Sequence, residues 1–229
     1  MNLIHNTFKS SAQYPVPDLS TRFGQEPGVL ALGMTPGTDL CWYRRDLDAV
    51  LRQQLDRACG TAEVGALEWE VARGSSIASV PPAFAQVADF LVDEVRALTE
   101  QFCEALGVEA ARVALKVSST DDCQRFHVDH VPGRILCTYS GPGTELILPA
   151  DVDWRGIHRR FMSMQKANDA TLRAGASVTQ VPVGHAIFLR GHRGPLRPTS
   201  GAVHRSPAIA ARGLRRLLVR IDTLDACRC

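Results

Sequence analysis

The sequence predicts an α+β, mainly β fold: an antiparallel double-sheet roll of the jelly-roll kind beneath an N-terminal helical layer. Three observations predict it. Apolar residues recur at helical spacing in the first half of the chain, they alternate at strand spacing after Val108, and turn-rich spacers with almost no helical period separate the later runs. Helices followed by many short strands fit two packed sheets with the helices on one side.

Residues 1–37 hold Pro15, Pro17, Gly24, Pro27, Gly33, Pro36 and Gly37, which interrupt any period and predict an extended arm. Residues 38–107 form the predicted helical layer. Its first helix runs from Thr38 to Gly60 on Leu40, Tyr43, Leu47, Val50, Leu51 and Leu55, with Asp39 or Asp46 as caps. Its second opens at Pro81-Pro82, carries Phe84, Val87, Leu91, Val95, Leu98, Phe102 and Leu106 on one face, and stops at Gly107. Residues 108–223 form the predicted roll, with strands in ARVALKVSS, RFHVDH, RILCTYS, TELIL, SVTQVPV, HAIFLRG and LRRLLVRID. Residues 151–176 read as a short helical or irregular insertion, and 224–229 as a tail. The whole is expected to be a single domain over 1–229.

Hydrophobic residues make up 45% of the 229 and charged residues 22%, an ordinary globular balance that excludes a disordered or fibrous chain. The net charge is +2, and the arginines are scattered among acids, so no concentrated basic face points to nucleic acid. No run approaches a membrane span, and the start, MNLIHNTFKSS, lacks the pattern of a signal peptide. The expected partners therefore exclude nucleic acid and membrane, and the expected setting is cytoplasmic. Seven scattered cysteines fit free thiols in a reducing compartment. Cys227 and Cys229 do not complete a tetrahedral zinc site.

The stretch Arg125-Phe126-His127-Val128-Asp129-His130 carries the chemistry. Residues two apart on a strand share a side, so His127 and Asp129 aim an imidazole and a carboxylate at one point. Taken alone such a pair is commonly a surface feature. Far downstream, His204 stands between a Gly-rich loop and the last strand, and His-x-Asp with a distal His is the facial triad that holds Fe(II) with open positions. His130 points the other way and reads as a surface or supporting residue. Arg134 reads as a partner of Asp129, a surface pair or an anion contact, and Glu145 as a polar group inside the roll. Gly141-Pro142-Gly143 precedes no helix and is a turn rather than a phosphate loop, and Ser206 lacks a nucleophile elbow.

The order RFHVDH, RILCTY, GPGTEL, VPVGHAIFLRG, VHRSP and RRLLVRID resembles the bacterial family called domain of unknown function 1826 over about the last two-thirds of the chain. It is similar, more distantly, to Fe(II)/2-oxoglutarate-dependent dioxygenases of the prolyl-hydroxylase and phytanoyl-hydroxylase type. That resemblance implies a double-stranded β-helix (cupin-like) with His127, Asp129 and His204 as ligands of Fe(II), and 2-oxoglutarate as cosubstrate. A basic residue on the last strand would pair with its far carboxylate, and Arg215 and Arg216 are both candidates. Strand alternation favours Arg215, which shares a face with Leu217, Val219 and Ile221. Tyr139 stands where such oxygenases often carry a tyrosine that bonds the cosubstrate. The substrate implied is a small molecule or a protein side chain, covered by the loop Gly191–Gly201 and the insertion at 151–176. Members of the unknown-function family tend to occur near zinc-homeostasis genes, which implies an alternative: a non-catalytic zinc-binding protein using the same ligands. A metal-dependent hydrolase or isomerase would use the triad to activate water.

Overall fold

In the computed structural model, residues 20–158, 162–193 and 199–226 are described. They begin with β1 (Thr21–Gly24), a 3-10 segment over Pro27–Met34, β2 (Leu40–Tyr43), α1 (Ala49–Thr61) and β3 (Gly65–Ala72). A 3-10 turn over Pro82–Val87 runs into α2 (Ala88–Leu106), followed by β4 (Ala110–Ser118), β5 (Gly133–Ser140) and β6 (Glu145–Ile147). The chain continues through α3 (Trp154–Ile157), α4 (Met164–Asp169), β7 (Thr179–Gln180), β8 (Ala186–Arg190), β9 (Val203–Arg205) and β10 (Arg216–Asp222).

The predicted helix over Thr38–Gly60 is corrected in its first half. Leu40, Cys41 and Trp42 are all buried in β2, which lies between β1 and β8. A strand covered on both faces shows no alternation, so its apolar run mimicked a helical period. The helix itself starts at Asp48, whose carboxylate accepts from the backbone N–H of Val50 and Leu51. Asp39 caps nothing there and accepts from Gly201 N at 3.0 Å. The helical layer also contains β3, in which Leu67, Trp69 and Val71 alternate with Glu68 and Glu70. The described part of the predicted arm holds β1 and a 3-10 segment, and residues 1–19 lie outside the described residues. α2 ends as expected, with Gly107 left-handed at φ 63°.

Two sheets result, mixed with helices into an α+β, mainly β architecture. The larger has seven strands in the order β1-β2-β8-β5-β10-β4-β3, and the smaller has three in the order β7-β6-β9. Only β1 and β2 pair in parallel among the described strands. One face of the large sheet presents Val113, Leu115, Ile135, Tyr139, Leu217, Val219 and Ile221 to Leu91, Val95, Leu98 and Phe102 of α2. Each large side chain so buried contributes about 1.5–3 kcal/mol. The opposite face presents Leu136, Leu218, Ile187 and Leu189 to Leu146 and Leu148 on and beside β6. Between the sheets, beside this second cluster, the large sheet's polar side chains line a cavity.

No helix among the described residues is long and apolar enough to cross a membrane. Cys41, Cys59, Cys103, Cys123 and Cys137 are free thiols, whereas Cys227 and Cys229 lie outside the described residues.

Candidate metal centre

β4 ends at Ser118, and the chain crosses the cavity mouth before β5 begins at Gly133. RFHVDH lies in this crossing and makes only a single bridge, at His127, rather than the predicted strand. The bridge joins His127 to His204 on β9: His127 N donates to His204 O and His204 N to His127 O, both at 3.0 Å. α4 braces the crossing, since Asn168 accepts from Phe126 N and donates to Gln124 O, each at 2.9 Å. The sequence reading missed Asn168; its place in an irregular insertion offered no signal.

The ligand atoms of His127, Asp129 and His204 lie within 4.8 Å of one another. His127 Nε2 is 3.3 Å from Asp129 Oδ1, and His204 Nε2 is 3.3 Å from Asp129 Oδ2. Each imidazole has its Nδ1 beside a backbone carbonyl, Arg125 O at 2.8 Å and Ala202 O at 3.1 Å. With a protonated Nδ1 donating there, each Nε2 is directed at the Asp129 carboxylate, and loss of the Nε2 proton would give the arrangement a divalent ion requires. Cys123 Sγ lies 3.6 Å from His127 Nδ1.

Burial works against the charge on His127, but its hydrogen bonds to Asp129 and Cys123 and the nearby carboxylate outweigh burial and raise it to about 10. Burial would push Asp129 up; the charge of His204, hydrogen bonds from both imidazoles and the Arg134 guanidinium instead hold it well below the usual carboxylate range. The pocket thus favours a carboxylate anion surrounded by positive charge, a set that an ion can replace by displacing a proton.

The three residues open onto a cavity of about 600 Å³, floored by β3, β4, β5 and β10 and including Leu136, Leu218 and Val131. Arg216 lines the same cavity and is 3% exposed. Its Nη2 donates to Thr138 Oγ1 at 3.0 Å and Thr144 Oγ1 at 2.8 Å, while its Nε has no partner among the described residues. Burial pulls the guanidinium down to about 10, the charge of Asp122 opposing the shift, so it is a cation at neutral pH.

The other two cofactor candidates stand elsewhere. Arg215 points to the helical side of the sheet and donates to Ala62 O. Tyr139 is fully buried on that same side, its hydroxyl donating to Glu94 Oε1 at 2.7 Å. Arg215 does share a face with Leu217, Val219 and Ile221, but that aliphatic face of β10 is the one against the helices. The cavity face is its complement, Arg216, Leu218, Arg220 and Asp222.

Arg134 is the partner of Asp129, at 2.9 Å, and Glu145 pairs with Arg205 at 2.6 Å. His130 is exposed at the cavity wall. None of the described residues of 151–176 lines this cavity, and the Gly191–Gly201 loop falls partly outside the described residues, at 194–198.

Three solved structures are similar in outline. Dioxygenase for auxin oxidation 1 from Arabidopsis thaliana, in its 2-oxoglutarate complex, is 9% identical over 93% of this chain and 94% of that chain, with a TM-score of 0.45. The Fe(II)/α-ketoglutarate-dependent dioxygenase TqaL is 10% identical over 79% of this chain and 77% of that chain, with a TM-score of 0.41. C-terminally truncated T7H from Neurospora crassa, in apo form, is 8% identical over 86% of both chains, with a TM-score of 0.38. No curated protein matches. The profile of the family described as "Protein of unknown function (DUF1826)" matches residues 24–222, and the chain belongs to that family.

Proposed function

We propose that the protein is a non-haem Fe(II)/2-oxoglutarate-dependent dioxygenase, with its two sheets closing as a double-stranded β-helix and a small molecule or protein side chain as substrate. The observation that carries this reading is Arg216, a buried arginine that makes no ion pair with a carboxylate among the described residues, in the cavity that holds the three-ligand cluster. A buried charge is costly unless paired, so the unpaired Nε fits an anionic ligand that brings its own carboxylate. Zinc storage would need the three ligands and has no use for such an anchor. A cytoplasmic setting belongs to the same reading.

Bound iron and the 2-oxo acid would supply oxygen activation for hydroxylation or oxidation. The chain's own residues set the geometry. His127, Asp129 and His204 present two imidazole nitrogens and a carboxylate oxygen from two chain segments joined at one bridge. Thr138 and Thr144 fix the Arg216 guanidinium, whose planar fork matches a carboxylate. Leu136, Leu218 and Val131 give the same cavity an apolar part, which lowers the local dielectric and strengthens such a pairing.

The test is anaerobic titration with Fe(II) and then 2-oxoglutarate, following the weak visible band of keto-acid chelation. The band should form in the parent and in Arg215→Met. In Arg216→Met it should need far more 2-oxoglutarate, while Fe(II) uptake stays intact. Tight zinc binding with no band in the parent would overturn the reading in favour of a metal-handling protein.

A further inference from the structure

A line of ion pairs runs from the cluster across the floor of the large sheet. Arg134 Nη1 donates to Asp129 Oδ2 at 2.9 Å, while its Nε and Nη2 donate to Asp222 Oδ1 and Oδ2 at 2.6 and 3.1 Å. Asp222 is 2% exposed and also accepts from Arg220 Nε at 3.0 Å. Arg220 in turn reaches Glu68 on β3 at 3.2 Å.

The register explains the line. Ile135 opposes Ile221 across β5 and β10, so the next pair outward sets Arg134 opposite Asp222, the arrangement in which unlike charges attract most directly. Neither residue is needed to fill the hydrophobic core, and a buried ion pair is on average a poor source of stability. What the pair does achieve is directional. Asp222 holds the flat guanidinium on two of its nitrogens, so the third can meet only one oxygen of Asp129. His204 Nε2 also approaches that Oδ2, at 3.3 Å, and Oδ1 is left facing His127.

We propose that Asp222 is a positioning residue of the metal centre: through Arg134 it occupies one oxygen of Asp129, so that this carboxylate ligates through its other oxygen alone. A carboxylate free to turn can bind through both oxygens and take up a place that incoming ligands need. The inference rests on the metal-centre reading above, and it adds the residue that sets how Asp129 ligates.

The test uses the full chain with Zn(II) as probe, its affinity measured by competition with a chromophoric chelator, and melting of the metal-free protein as a control. Asp222→Asn removes the charge that braces Arg134. Arg134→Lys keeps a positive charge beside Asp129 but cannot span both carboxylates. Each should weaken Zn(II) binding about 10- to 100-fold, the usual cost of losing a partner of a metal ligand. Crystals of Arg134→Lys with zinc should show both Asp129 oxygens at the ion, against one in the parent.

Should Asp222→Asn fail to fold, Arg134→Met combined with Asp222→Leu replaces the pair with apolar groups, and it should fold yet bind Zn(II) weakly. Folded variants that bind within twofold of the parent, with one oxygen still ligating, would overturn the proposal alone. A parent chain that takes up no metal would overturn the metal-centre reading as well.

Discussion

His127 enters the metal-free site as a cation, because the Asp129 carboxylate raises it from the ordinary 6.5 to about 10. Its contribution to stability is therefore complete below about pH 6.5 and is lost as the pH rises through about 10. Asp129, shifted the opposite way, contributes above its ordinary value of 3.8 and loses that contribution as the solution is acidified. A metal must displace the proton on His127, so affinity for Zn(II) should climb between pH 6.5 and 9 by up to about tenfold per unit. Calorimetry at pH 7.5 in buffers of different ionisation heat should show about one proton released per ion, and a heat independent of buffer would contradict this. At Arg216, the change to Met should cost 2-oxoglutarate binding about 1.5–3 kcal/mol, the worth of hydrogen bonds to a charged group. The triad was legible in the sequence because His127 and Asp129 stand two apart. Of the two arginines the sequence offered, Arg216 is the one beside the cluster, a choice the sequence left open because it shows that β10 has two unlike faces without showing which one meets helices.

Strands and helices of this chain are tied together by a small buried network. Tyr139 on β5 donates to Glu94 on α2, and Glu94 pairs through both oxygens with Arg45, whose Nε reaches Gly184 O at 2.8 Å. Glu94 is 7% exposed and the Arg45 side chain 18%, so truncating Glu94 to Ala leaves a half-buried guanidinium without its carboxylate and should cost about 3 kcal/mol in a denaturant melt, the low end for breaking a buried pair. Tyr139→Phe removes one hydrogen bond at a cost of about 1 kcal/mol and should leave metal uptake unchanged. A loss of cosubstrate binding in Tyr139→Phe would contradict the helical-side placement.

At this scale β4, β5, β6, β7, β8 and β10 were readable in the sequence, as were α2 and its glycine stop, whereas RFHVDH forms only a bridge and β9, which carries His204, was not among the predicted strands. β2 was not, because both of its faces are covered, Cys41 by the cluster on the helical side and Leu40 and Trp42 by the cluster on the opposite side. β3 carried a legible Leu67-Trp69-Val71 alternation that the surrounding helical segments obscured. Gly191 shows why a loop residue escapes such reading. A Cβ there would sit 1.9 Å from Val131 O and 2.9 Å from Asp129 O, a constraint set by a neighbour distant in sequence. Gly191→Ala should push the Asp129 segment off β8 and weaken Zn(II) binding without altering the helices.

For the molecule as a whole, the large sheet separates two tasks by face. Aliphatic side chains meet α2 on one side, and on the other, charged and polar side chains share the cavity floor with Leu136 and Leu218. A ligand held only by the folded chain stabilises it by about 2.7 kcal/mol at a hundred times its dissociation constant. For a chain of this size that corresponds to a rise in melting temperature of about 5–10 °C, removed by a chelator. The rise should vanish in His204→Ala, and its persistence there would place the ion elsewhere.

The bridge between His127 and His204 also orders events in time. A chain emerging from the ribosome through β8 has made His127 and Asp129, but not His204 or the strand bearing Arg216 and Asp222. Closing so long a loop carries an entropic cost that only the finished sheets repay. An ion taken up by this cluster would therefore be captured late in maturation, marking a finished fold and giving a growing chain no template.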